Sequence, residues 1–108
     1  MGDQIDSSQK NLPSWFVRVE NVTTAGTPVN LSDRPILDGI SLTIRARPTN
    51  TGVIYVATSS ANASGTHRTT LNAAQSMSLC ITNDNLVWID SSVDGEGVEF
   101  WAEGPGAA

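Results

Sequence analysis

The chain has little of what several classes of protein require. It contains one cysteine, one histidine and one lysine in 108 residues, and its formal net charge is −5. A lone thiol cannot close an intrachain disulfide, so the disulfide framework of a small secreted domain is excluded and a reducing compartment is the simpler expectation. Nucleic-acid binding needs a clustered basic stripe, which an acidic chain with a single lysine does not offer.

Long apolar runs are missing as well. No stretch approaches the roughly 20 residues that span a bilayer. The start, MGDQIDSSQK, lacks the basic and then hydrophobic order of a signal peptide. Asp6 stands where N-myristoylation requires Ser or Thr. The sequence therefore predicts neither a membrane partner nor a nucleic-acid partner.

What the sequence does contain is a series of short alternating segments. Only 16% of the residues are charged, and Ser, Thr, Asn and Gly are plentiful, which favours short strands joined by tight turns. The clearest strand places four apolar residues on one face: Ile40, Leu42, Ile44 and Ala46. Further strands are predicted at 15–20, 53–58, 76–82, 86–90 and 98–103. We therefore expect an all-β fold, a small antiparallel β-sandwich or barrel of about six to eight short strands.

The length and the turn residues predict the organisation of the chain. Separate cores rarely form below roughly 50 residues each, so one domain is expected. The predicted parts are a flexible N-terminal arm (1–13), a single β domain (14–104) and a C-terminal tail (105–108). The turn at 48–52 predicts that its two flanking strands pair as a hairpin. No convincing helix is expected.

Two longer segments are predicted to be loops. Residues 23–38 contain Gly26, Pro28 and Pro35, so they are expected to be a contact loop with at most a short edge strand near 29–31. Residues 59–70 are small and polar, with no periodic apolar face, which is typical of an exposed loop.

Residues able to run a reaction are few and scattered. His67 lies in the second of these loops, far in sequence from Cys80, and neither is next to the partners that a nucleophile and a base require. Cys80 is expected within a strand, as a small buried side chain. We predict no catalytic or cofactor-binding residue, no metal and no cofactor, and we expect that the protein is not an enzyme.

The acidic stretch at 90–96 could suggest a calcium loop. An EF-hand needs a glutamate at its twelfth position, which is Trp101 here, and it needs flanking helices. A looser cation site on Asp90, Asp94 and Glu96 remains an alternative, and an Asp-Gly turn between two strands is the simpler interpretation.

Aromatic residues occur in adjacent pairs, Trp15-Phe16 and Phe100-Trp101. Strand alternation directs one ring of each pair inward and the other outward. Exposed rings on a small β domain indicate a sugar-stacking platform or a subunit interface, and strands that are apolar on both faces favour the interface. The predicted interface residues are Ile5, Leu12, Trp15, Phe16, Arg45, Arg47, Trp88 and Trp101.

Three segments between Asp38 and Glu103 resemble a recurrent pattern in small structural proteins of tailed bacteriophage particles. They are DGISLTIRARPTNTGVIYVATS, NAAQSMSLCI and NLVWIDSSVDGEGVEFWAE. The resemblance implies a capsid decoration or cement protein, made in the bacterial host cytoplasm and located on the capsid surface of the virion. It also implies a homotrimer bound to the major capsid protein, with an N-terminal arm reaching across the shell. Residues 23–38 match no motif of this pattern.

Other functions stay open at this point. Within the same class, the chain could be a head-tail connector, tail or fibre component of the virion. A different class is a small carbohydrate-binding β module that stacks sugars on Trp15, Trp88 or Trp101. An enzyme that uses the acidic cluster is the least favoured of these alternatives.

Overall fold

A computed structural model describes residues 15–36, 39–65 and 67–103, which form two antiparallel sheets. Eight strands occur in this part of the chain: β1 (Trp15–Asn21), β2 (Val29–Asn30), β3 (Ser41–Ala46), β4 (Ile54–Ala57), β5 (Thr69–Leu71), β6 (Ser76–Leu79), β7 (Trp88–Ser91) and β8 (Gly97–Glu103). A short helix α1 (Ser60–Ala63) and a 3-10 turn (Asp84–Leu86) lie in the connections. The predicted all-β class is confirmed, as is the short edge strand near residue 29.

The strand order explains how the chain is wound. Sheet 1 has the order β1-β8-β3-β6, and sheet 2 has the order β2-β7-β4-β5. Strands of the first half pair with strands of the second half in reverse order, β1 with β8, β2 with β7, β3 with β6 and β4 with β5. A long hairpin rolled into two facing sheets gives this order. It is the order of a jelly roll, an architecture that occurs in viral capsid and lectin domains.

The hairpin predicted around the turn at 48–52 is wrong. Strand β3 belongs to sheet 1 and β4 to sheet 2, so the connection crosses from one sheet to the other. Neighbouring strands of one sheet present their apolar faces side by side, whereas strands of two stacked sheets bury them against each other. The crossing therefore lets Ile44 and Ile54, both fully buried, contribute to the core from opposite sides.

The core lies between the two sheets. The predicted inward face of β3 is confirmed, since Ile40, Leu42, Ile44 and Ala46 are all buried. Strand β8 adds the buried residues Val98, Phe100 and Ala102, with Phe100 the largest fully buried side chain. Gly97 begins this strand because a Cβ there would lie only 2.0 Å from the Glu20 carbonyl oxygen.

The segment at 59–70 has more structure than the sequence predicts. Ser59 caps α1 by accepting a hydrogen bond from the Asn62 backbone N–H, and β5 begins at Thr69. Arg68 donates to the Ala63 carbonyl and stacks over the Tyr55 ring at 3.5 Å. Short polar elements of this kind have no apolar periodicity, so their tertiary contacts define them.

The prediction for Cys80 is wrong, because β6 ends at Leu79 and the thiol is exposed. The predicted arm (1–13) and tail (105–108) lie outside the described residues. Within the described ranges, none of the helices has the length and apolar character needed to cross a membrane.

Candidate assembly surface

The outer surface of sheet 1 carries an exposed apolar strip on its edge strand. On β1, Val17 is 57% exposed and Val19 is 48% exposed. Val19 lies opposite Glu99 of β8, and Thr43 of β3 lies opposite Trp101 of β8. We call this surface the sheet 1 face; it consists of Val17, Val19, Thr43, Arg45, Ser76, Ser78, Glu99 and Trp101.

The apolar face of β1 points to solvent because of the register with β8. Arg18 pairs with Phe100 and Glu20 pairs with Val98, and paired residues of an antiparallel sheet share a face. Phe100 and Val98 are buried in the core, so Arg18 and Glu20 lie on the core side of the sheet edge. Val19 must then lie on the outside, where the described residues of the chain do not cover it.

An ion pair crosses the middle of the sheet 1 face. Arg45 of β3 donates from Nε to Glu99 Oε1 of β8 at 2.9 Å, and its Nη2 also contacts that oxygen. The two residues are direct cross-strand neighbours, which explains the pairing. The side chains of Arg45 and Glu99 are 40% and 20% exposed, and ion pairs at a protein surface contribute about 0–1 kcal/mol to stability. The pair therefore fixes the shape of the face more than it stabilises the fold.

The structure divides the predicted interface residues between different surfaces. Arg45 and Trp101 lie on the sheet 1 face, whereas Trp88 lies on the outer face of sheet 2, because its neighbour Ile89 is buried. Arg47 follows β3 and has a buried Nε with no hydrogen-bond partner. Ile5 and Leu12 fall outside the described residues, and the side chains of Trp15 and Phe16 do as well. The expectation for Phe100-Trp101 is confirmed, with Phe100 buried and Trp101 partly exposed.

The acidic stretch at 90–96 holds together the loops at one end of the sandwich. Asp90 Oδ1 accepts from the Gly26 N–H at 2.9 Å and the Ser91 N–H at 2.7 Å. Asp94 Oδ1 accepts from the Ala25 N–H at 2.7 Å. These carboxylates thus serve separate backbone donors, and within residues 15–36, 39–65 and 67–103 no three His, Cys, Asp or Glu residues are grouped to hold a metal ion.

Glu96 fastens a further loop to the same end. It accepts from the backbone N–H groups of Thr51 and Gly52, at 2.7 and 2.9 Å, and from the Thr51 hydroxyl at 2.8 Å. These donors favour the ionised form, and the backbone N–H groups lower the pKa of Glu96 below its usual 4.5. No local sequence signal indicates this clamp, because its donors lie more than forty residues earlier in the chain.

We expect Glu96→Gln to change how stability depends on pH. The lowered pKa means that the unfolded chain binds the proton more tightly, so the contribution of Glu96 is complete above pH 4.5 and is lost as pH falls through the folded-state value. Urea unfolding of both proteins from about pH 3 to pH 6 measures this. The wild-type advantage should shrink toward the acidic end, and a difference that stays constant with pH contradicts the assignment.

A cleft of about 320 Å³ opens between the edges of β5 and β6. Its floor includes Val56, Met77 and Leu79, and its rim includes His67 and Arg68. The lining residues bring no carboxylate or thiol to the histidine.

No protein-family model, curated protein or solved structure matches the chain at a significant level. The resemblance to phage structural proteins accordingly rests on the three sequence segments quoted above.

Proposed function

We propose that the chain is a structural component of a virus particle, namely a decoration or cement protein that binds at junctions of major capsid subunits in a tailed-phage head. The observation that carries this proposal is the pair of exposed apolar side chains Val17 and Val19 on β1, the strand next to β8, which carries Trp101. The sequence resemblance suggests the kind of particle. The jelly-roll winding is compatible with it, since viral capsid domains use the same architecture.

The sheet 1 face suits contact with another protein in its composition. Its apolar side chains Val17 and Val19 lie along the edge strand β1, and the Arg45–Glu99 pair, Thr43, Ser76 and Ser78 lie on the neighbouring strands. Apolar and polar groups mixed in this way are common on the surfaces through which proteins bind each other. The net charge of −5 favours the outside of the shell, because a packaged genome would repel an acidic protein.

The alternatives fit the described residues less well. A sugar-binding module stacks several rings on one surface, but Trp88 and Trp101 lie on opposite outer faces of the sandwich. A head-tail connector, tail or fibre component would use the same type of protein contact and differs only in its place within the particle. The homotrimer and the enzymatic inactivity remain predictions from sequence.

Cosedimentation with expanded empty heads of a tailed phage that encodes this chain tests the proposal. Wild-type protein should bind, and Val17→Lys should bind at least about tenfold more weakly, because the contact would bury a charge without a partner. The matched control is Leu86→Lys, since Leu86 is also exposed (46%) but lies outside the sheet 1 face. This control should bind like wild type.

Two results would contradict the proposal. The first is wild-type protein that stays in the supernatant at every concentration tested. The second is a Val17→Lys variant that binds as tightly as Leu86→Lys, which would exclude the sheet 1 face as the contact.

A further inference from the structure

Strand β1 is the longest edge strand of the described sheets. The four edge strands of the described sheets are β1, β6, β2 and β5, with seven, four, two and three residues. Edge strands expose unpaired backbone groups, and natural proteins protect them by shortening them or with Pro, charged side chains or bulges. Strand β1 has no Pro or Lys, carries the charges of Arg18 and Glu20, and has an irregular register only before Arg18. It therefore offers the longest stretch of strand edge in the described part of the chain.

The hydrogen bonding to β8 shows which backbone groups face outward. The Val22 N–H donates to the Glu96 carbonyl at 2.9 Å, and the same register continues through Glu20 with Val98 and Arg18 with Phe100. Hydrogen-bonded and non-hydrogen-bonded positions alternate in an antiparallel ladder. The N–H and C=O of Val19 therefore point away from β8, toward the edge that no described strand covers.

The two residues next to Val19 in β1 carry opposite charges, and both lie on the face of the strand opposite to that of Val19. Arg18 precedes it and Glu20 follows it, and their pairing with Phe100 and Val98 places both on the core side of the edge. Neither side chain has an ion-pair or hydrogen-bond partner among the described residues. Burial raises the pKa of Glu20 above its usual value.

We propose that two copies of this chain associate through β1, antiparallel about a two-fold axis at Val19, so that sheet 1 continues from one copy into the other. Val19 then faces Val19 of the second copy, and their outward backbone groups can bond to each other. Arg18 faces Glu20 of the second copy, and Glu20 faces its Arg18. One self-complementary strand thus forms both ion pairs, as an isologous contact requires.

The charges also select this register over its neighbours. Moving the axis to Glu20 would place the two copies of Glu20 opposite each other, and moving it to Arg18 would do the same for the arginines. Directly opposed like charges are destabilising in a sheet. The irregular register between Trp15 and Arg18 ends the regular part of the edge, so the contact is short. We expect a dissociation constant on the order of micromolar.

This association is independent of the proposed function and would stand if the chain were not a virion protein. It also differs from the homotrimer predicted by resemblance, because a two-fold contact does not close a ring of three. The mass of the oligomer that the isolated protein forms in solution therefore distinguishes the dimer from the trimer.

Sedimentation velocity of the full chain and its charge variants tests the association. Wild type should form a dimer, and Arg18→Glu and Glu20→Arg should each dissociate on the order of thirtyfold more readily, since both ion pairs become repulsive. The double variant should restore the dimer. Mixing the two single variants should give a heterodimer, because one copy then supplies two acids and the other two arginines at the opposed positions.

The dimer experiment needs a folding control and a second disruptive variant. Circular dichroism should show that all variants fold, and Val19→Lys, which alters a 48% exposed side chain, provides a second disruption if Glu20→Arg does not fold. The inference is overturned by wild-type protein that is monomeric at about 100 µM, by a trimer, or by folded single variants that dimerise normally. It is also overturned if a chain beginning at Trp15 loses the dimer while Arg18→Glu keeps it, since residues 1–14 would then form the contact.

Discussion

Replacement of Phe100 by Ala is expected to lower the free energy of unfolding by about 4 kcal/mol. The ring is 1% exposed and lies on β8, which is bordered by β1 and β3 in the centre of sheet 1. Its removal leaves a cavity between the sheets in addition to the lost apolar burial. Small domains have a total stability of about 5–15 kcal/mol, so this loss is a large fraction of the whole.

Urea unfolding followed by tryptophan fluorescence measures the loss. Val17→Ala is the matched control, because this residue is in the same sheet but is 57% exposed, and its effect should stay within about 0.5 kcal/mol. A loss below about 2 kcal/mol for Phe100→Ala would contradict the position of the ring at the centre of a rigid core.

Asp84→Ala is expected to destabilise the fold by about 3 kcal/mol. The residue is fully buried, and its carboxylate accepts from the Ser32 hydroxyl at 2.6 Å and from the Arg34 N–H at 2.7 Å. Alanine would leave both donors without their acceptor in the interior. Asp84→Asn keeps one acceptor oxygen and should lose about half as much.

Thermal unfolding provides the measurement, since about 1 kcal/mol corresponds to roughly 4–8 °C in a domain of this size. Asp33→Ala serves as the control, because Asp33 is exposed and, among the described residues, accepts from the Asn83 and Asn85 side chains alone. If the two alanine variants melt at the same temperature, Asp84 does not anchor the connection between β2 and β3.

The regular strands of the core could be predicted from sequence because their signal is local. Alternation with a period of two predicts the buried face of β3 and the inward and outward rings of the Phe100-Trp101 pair on β8, and both predictions are confirmed. The sheet to which each strand belongs depends on partners distant in the chain. The turn at 48–52 has the same residues whether it closes a hairpin or crosses between sheets, which is why the hairpin prediction failed.

The candidate surface could be predicted only in part. Alternation on β1 separates Val17 and Val19 from Arg18 and Glu20, but it does not say which set faces the core. The register with Phe100 decides this, and that register is a tertiary property. For the same reason the sequence predicts Trp88 and Trp101 as parts of one interface. In the structure their neighbours Ile89 and Phe100 are buried in different sheets, so the two tryptophans lie on opposite outer faces of the sandwich.

The pairing of the first strand with the last has a practical consequence for engineering. Trp15 lies opposite Ala102, so the first and last strands of the described part of the chain begin and end at the same pole of sheet 1. Reporters or antigens fused directly before Trp15 or after Glu103 would be attached side by side at that pole. The opposite pole, where Asp90, Asp94 and Glu96 bind the backbone of the loops, would stay accessible to other reagents.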